Sequence, residues 1–95
     1  MVIDRERVKQ AFQEYTGTYD IHDEKIRLKV EHTYRVADIS EQIAEKLGLS
    51  EEDIALAWLI GMLHDIGRFE QLKRFNSFEA DTMDHATYGV KVLFE

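Results

Sequence analysis

Through the first half of the chain, apolar side chains recur every three or four residues, the spacing of one face of a helix. Val8, Phe12 and Tyr15, with Ala11 beside them and charges elsewhere, predict a helix over residues 4–16 with Gly17 as its stop. The stretch TGTYDIHD connects it to a much longer helix. That helix is expected to start near Asp23, where Asp23 and Glu24 suit the positive helix end, and to run to about Leu47 before Gly48 stops it. His32, Val36, Ile39 and Ile43, spaced i, i+4, i+7 and i+11, predict its apolar stripe. Ser50 and Asp53 have the spacing of a capping box, with Asp in place of the usual Glu. They open a third helix that is apolar almost all round, is therefore expected at the centre of the fold, and should end near Gly67. Residues 68–83 read as irregular or briefly helical. Asp84 is expected to cap a last helix, 85–95, with Val90, Leu93 and Phe94 on its apolar side.

Strand signals are missing. The chain has no proline, no Asn-Gly turn and no repeat or linker, so the fold class is all-α. Its 95 residues predict one domain, 1–95. The last helix reaches Glu95 in mid-pattern, with no glycine, cap or polar tail. The chain is therefore expected to be a piece of a longer domain cut inside a helix, with a natural frayed end as the alternative. In the first case its apolar face would seek a partner, and a homodimer is a candidate assembly.

A hydrophobic fraction of 44% with 33% charged residues is that of a folded globular chain, not a disordered one. The formal charge of −7 repels nucleic acid and anionic membrane surfaces, which excludes both as favoured partners. There is no cysteine, hence no disulfide and no thiolate metal site. The N-terminal MVIDRERVKQ has no apolar core of a signal peptide. The apolar run 54–63 falls short of the roughly 20 residues that span a bilayer. These features predict a cytoplasmic protein.

The stretch IALAWLIGMLHDIGR, residues 54–68, carries the chemistry. An uncharged helix runs into His64 and Asp65, where the negative helix end and desolvation both disfavour an ionised carboxylate. Something positive must sit there: Arg68, one turn on, or a metal ion. A metal also accounts for the adjacent imidazole. The second His-Asp pair, His22-Asp23, lies in a polar connector and reads as an exposed histidine beside a capping aspartate. His32 is the best further ligand, because its ring lies on the apolar stripe of the long helix. Two helices facing each other across a core bring His32, His64 and Asp65 together, as in metal sites of helical bundles. The alternative is a histidine satisfied by hydrogen bonds in the core. His85, at the start of the last helix, is a candidate contact to a phosphate or a second metal, against the alternative of an exposed first-turn residue. Asp81 and Asp84 read as turn and cap residues.

Three segments, EHTYRVADIS with His32, MLHDIGRFEQ with His64 and Asp65, and DHATYGVKVL with His85, together resemble the HD-domain superfamily of metal-dependent phosphohydrolases. Their order and approximate spacing are those of that family, over most of the chain from about residue 23. The resemblance implies an all-helical HD-domain-like bundle. It also implies a metal site built from a His, a His-Asp pair on a central helix and a distant C-terminal Asp. Carried over, His32, His64 and Asp65 are the first three ligands, and His85 matches one of the histidines that hold a second metal in some branches. The family's last Asp lies on a helix well beyond His85, so the domain is expected to be incomplete at the C-terminus. The implied cofactor is a divalent ion, with Mn, Fe, Co, Ni, Zn and Mg all compatible. The implied substrate is a phosphomonoester or phosphodiester, in many family members that of a nucleotide. The ion would polarise the phosphoryl oxygens and acidify the attacking water. Asp65 would orient or deprotonate that water, and Arg68, with Lys73 and Arg74 as further candidates, would neutralise phosphate charge. The rival reading is a non-catalytic helical module that binds a metal or a partner.

Overall fold

The computed structural model describes residues 2–75 and the backbone of 85–94, with the side chains of His85 and Phe94 left aside. Among the described residues five helices follow one another: α1 (Arg5–Thr16), α2 (Glu24–Lys46), α3 (Glu51–Leu63), α4 (Arg68–Phe75) and α5 (His85–Phe94). No strand occurs among the described residues, and no helix is long and apolar enough to cross a membrane. Local chemistry sets the boundaries. Asp4 caps α1 by accepting from the Arg7 amide, and Asp23 caps α2 by accepting from the Lys25 amide. The α2 terminus is a Schellman motif: Gly48 adopts φ 72°, its amide donates to the Glu45 carbonyl, and the Leu49 amide reaches the Ala44 carbonyl. Ser50 then caps α3 through the Asp53 amide. Gly17 also ends its helix, but at φ −66°, so the left-handed freedom of glycine is not used there.

So short a connection turns α3 back antiparallel along α2, and these two helices form the largest contact of the fold. Their closest approach is Gly61 against Ala37. A Cβ added at Gly61 would lie 2.6 Å from the Ala37 Cα, inside any real contact. This contact fixes the rotation of α2. Its buried line is Ile26, Thr33, Ala37 and Ala44. The expected stripe is therefore displaced: Ile39 and Ile43 are 48% and 54% exposed. Small residues win the seam because they let the backbones close up, and the neighbouring isoleucines are carried to its rim. His32 is carried with them and ends half-buried rather than in the core.

The core gathers around Phe69 and Met62, both fully buried, with Phe12, Ile26, Trp58, Ile66 and Leu72. Rings of Phe12, Tyr15 and Tyr19 surround Phe69 at centroid distances of 5.9–6.5 Å. Phe69 and Leu72 belong to α4, the segment expected to be irregular or briefly helical. The same demand shortens α3, which stops at Leu63 rather than near Gly67. The chain turns over 64–67 so that Ile66 and Phe69 can enter the core. A polar chain anchors α4. Tyr15 and Tyr19 share a hydroxyl–hydroxyl bond of 2.8 Å, and the Tyr19 hydroxyl donates to Glu70 at 2.9 Å. Arg74 completes the chain by donating to the other Glu70 oxygen at 2.6 Å. Burial alone would raise the Glu70 carboxyl, but the bonds from Tyr19 and Arg74 hold it below its ordinary pKa.

Helix α5 meets the turn after α3 at another glycine. A Cβ on Gly89 would stand 3.1 Å from Ile66 Cγ2, so this face, with Val92 beside it, points inward. Val90 and Leu93 are consequently 57% and 41% exposed, not on the buried side as the sequence pattern predicts. The expected cap Asp84 lies outside the described residues, as does Asp81.

Gly61→Ala should lower stability by about 1–3 kcal/mol, as overpacking does, measured from urea unfolding. Helix propensity alone would favour alanine by about 1 kcal/mol, so a stabilised variant would contradict the close approach of α2 and α3.

Candidate metal centre

The seam places two histidines across from each other. His32 comes from the N-terminal half of α2. His64 is the C-cap of α3, and Asp65 follows it in the turn. The rings of His32 and His64 are 6.4 Å apart between centroids. One donor atom from each of His32, His64 and Asp65 lies within 4.8 Å of the others. Metal–ligand bonds of about 2.0–2.2 Å put two ligands of one ion at most about 4.4 Å apart, so small side-chain rotations close the set. Chain direction explains the meeting: with Ala37 opposite Gly61, a turn towards the N-terminus of α2 faces a turn towards the C-terminus of α3.

Hydrogen bonding fixes the presentation of the ligands. His64 Nδ1 lies 2.7 Å from the Gly61 carbonyl, which only accepts, so Nδ1 carries the hydrogen. In the neutral ring Nε2 then offers its lone pair, and it points at Asp65 Oδ2 from 3.2 Å. With a proton on Nε2 this contact is an ion pair with Asp65, and a metal ion in the proton's place would be held by the same two atoms. The donor set is therefore chemically suited to a divalent ion, and two imidazoles with a carboxylate fit Mn, Fe, Co, Ni or Zn.

Electrostatics agrees with that use. Burial would raise the Asp65 carboxyl, but His64, Lys29 and Arg68 outweigh it and hold the pKa below the ordinary value, so Asp65 is ionised at neutral pH. Burial first, and the Lys29 charge second, push the His32 pKa down, which keeps its ring neutral and able to ligate. Lys29 Nζ sits 3.3 Å from Asp65 Oδ2, while Arg68 Nε is 3.8 Å from Oδ1. Arg68 also donates to Gln71 Oε1 at 2.9 Å, and Gln71 is fully buried.

The expected counter-cation Arg68 is thus present, but Lys29 is nearer. Sequence reasoning passed over Lys29, although it lies three residues before His32 and so shares its helix face, a signal open to inspection. Lys73 and Arg74 are engaged elsewhere: Lys73 lies over the Tyr19 ring, and Arg74 pairs with Glu70 and covers Tyr88. His85 starts α5, and its side chain lies outside the description. His22 is exposed beside the capping Asp23, as expected of the decoy pair.

Fold and site together define an all-helical domain that gathers two histidines and an aspartate where a turn leaves a two-helix seam. The family model of the HD domain matches residues 30–95, and the chain belongs to the HD-domain family, one of metal-dependent phosphohydrolases. No curated protein and no solved structure matches it.

Two outcomes test the centre. Equilibrium dialysis against Mn²⁺ should show His64→Ala binding at least about tenfold more weakly, since even outer-shell losses at metal sites cost about 10–100-fold. Equal, negligible binding by both proteins would remove the site. In metal-free buffer, the depressed His32 pKa means that the unfolded chain takes up the proton first as pH falls. Stability should therefore decline as pH drops through about 6.5 towards the lower folded value. Urea unfolding at pH 7.5 and 5.5 should show a smaller decline for His32→Gln than for the wild type.

Proposed function

We propose that this protein hydrolyses phosphate esters of small molecules, with His32, His64 and Asp65 holding a divalent ion. The observation that carries the reading is the convergence of these three donors, with His64 Nε2 set 3.2 Å from an ionised carboxylate oxygen. A divalent ion bound there supplies Lewis acidity towards a phosphoryl oxygen and lowers the pKa of water. The chain's own groups do the rest. The Gly61 carbonyl holds His64 in the tautomer that frees Nε2. Asp65, kept ionised by its cationic neighbours, holds and orients. Its lowered pKa makes it a weak base, which favours the holding role over proton removal. Arg68, braced by Gln71 and beside Asp65, is placed to offset charge on a phosphate. A nucleotide is one substrate of the right chemistry, and His85 is a further candidate contact at the start of α5.

The test is turnover. Protein loaded with Mn²⁺, Ni²⁺, Co²⁺ or Mg²⁺ is assayed against phosphomonoesters and cyclic nucleotides. Metal-dependent hydrolysis is expected, with Asp65→Asn reducing kcat/KM by about a hundredfold or more. Stoichiometric metal with no hydrolysis of any ester would overturn the hydrolase reading and leave a module that binds a metal or a partner.

A further inference from the structure

His32 and His64 each begin a line of apolar residues that leads away from the metal centre. On α2 the line is Val36, Ile39 and Ile43, which follow His32 at i+4, i+7 and i+11. On α3 it is Ile60, one turn before His64. The two rings meet on one side of the seam, so residues spaced from them by whole turns lie on that side too. The contact of Gly61 with Ala37 puts their chain neighbours, Ile60 and Val36, at one level of the antiparallel pair. Ile60, Ile39 and Ile43 are 59%, 48% and 54% exposed, and Val36 is half-buried. Exposed apolar side chains scattered singly are ordinary. Several together on both walls of one seam mark a contact surface. This ledge is continuous with the centre. It starts one turn, about 6 Å, from the histidines and runs on for about 10 Å along α2. The charged groups lie the other way: Lys29 is one turn before His32, while Asp65 and Arg68 follow His64.

We propose that the substrate is a phosphate ester of an apolar alcohol, whose phosphate meets the His32–His64–Asp65 end of the seam and whose ester group lies on the ledge of Val36, Ile39 and Ile60. The inference deepens the phosphate-ester reading and rests on it. Such an ester has one charged end and one apolar end, and so does this side of the seam. Laying the apolar end on branched aliphatic side chains removes surface of both from water, a gain that a polar ester group would forgo. A second copy of the chain is the poorer occupant, because a net charge of −7 on each copy opposes self-association.

The test is calorimetric titration of Mn²⁺-saturated protein with phenylphosphonate and methylphosphonate, unreactive ester mimics that share a phosphonate group and differ in apolar bulk. Wild type should bind phenylphosphonate about tenfold more tightly, the gain of laying one ring face on aliphatic surface. In Ile60→Gln, which keeps good helix propensity, that ratio should fall to about threefold or less. Val90 is similarly exposed, at 57%, but lies on α5, so Val90→Gln should keep the wild-type ratio. Ile39→Gln is measured in the same way and stands in if circular dichroism shows that Ile60→Gln does not fold. A wild-type ratio near one, or a ratio unchanged in the folded ledge variants, overturns the proposal and leaves the hydrolase reading standing. So does a light-scattering mass of two chains that either ledge substitution reduces to one with the ratio unaltered, which assigns the ledge to self-association. Protein that binds Mn²⁺ but neither phosphonate overturns the phosphate-ester reading. Protein that binds no Mn²⁺ overturns the centre, and this inference falls with either.

Discussion

Gly61 has no side chain, and Ala37 has almost none. Because of this pair, α2 and α3 meet backbone to backbone, and nothing larger fits between them. The geometry of the centre descends from that contact. It sets how far His32 stands from His64 and which way α2 is rotated, and so leaves His32 at the rim of the seam. A bulkier seam would push the helices towards the usual 8–10 Å separation, with the histidines further apart. The half-buried position leaves the His32 ring in reach of solvent.

The turn after α3 is held from both sides. On one side Ile66 and Phe69 enter the core, drawn by the area of apolar surface they remove from water. On the other, Gln71 braces Arg68, and the chain Tyr15–Tyr19–Glu70–Arg74 fixes the far face of α4. Asp65 is thereby fixed at a place where an isolated carboxylate would be unwelcome, near the negative end of α3. Lys29, His64 and Arg68 reverse that penalty. The cluster gathers cations in a strongly negative protein.

Much of this was legible in the residues. The caps at Asp23 and Ser50 and the left-handed Gly48 follow from local rules of capping and glycine conformation, and the places of His32, His64 and Asp65 on their helices marked them as candidate donors that would meet if α2 packed on α3. The decoy His22-Asp23 was separable because a capping aspartate has work of its own. Periodicity misled where it counted only hydrophobicity. Ile39, Ile43, Val90 and Leu93 are more apolar than alanine or glycine, yet the small residues take the buried faces. Lys29 was overlooked because a lysine is read by default as solvated, although its position one turn before His32 was in plain view.

What the sequence by itself determined is therefore the kind of fold, the helix boundaries that have chemical caps, and the donor atoms of the centre. Each depends on interactions within a few residues along the chain. Only the tertiary structure decided which face of each helix is buried, that α3 ends at Leu63, and that the ammonium of Lys29 stands at Asp65, 36 residues away. Those outcomes depend on how closely two backbones can approach, and that distance belongs to a pair of helices rather than to either one.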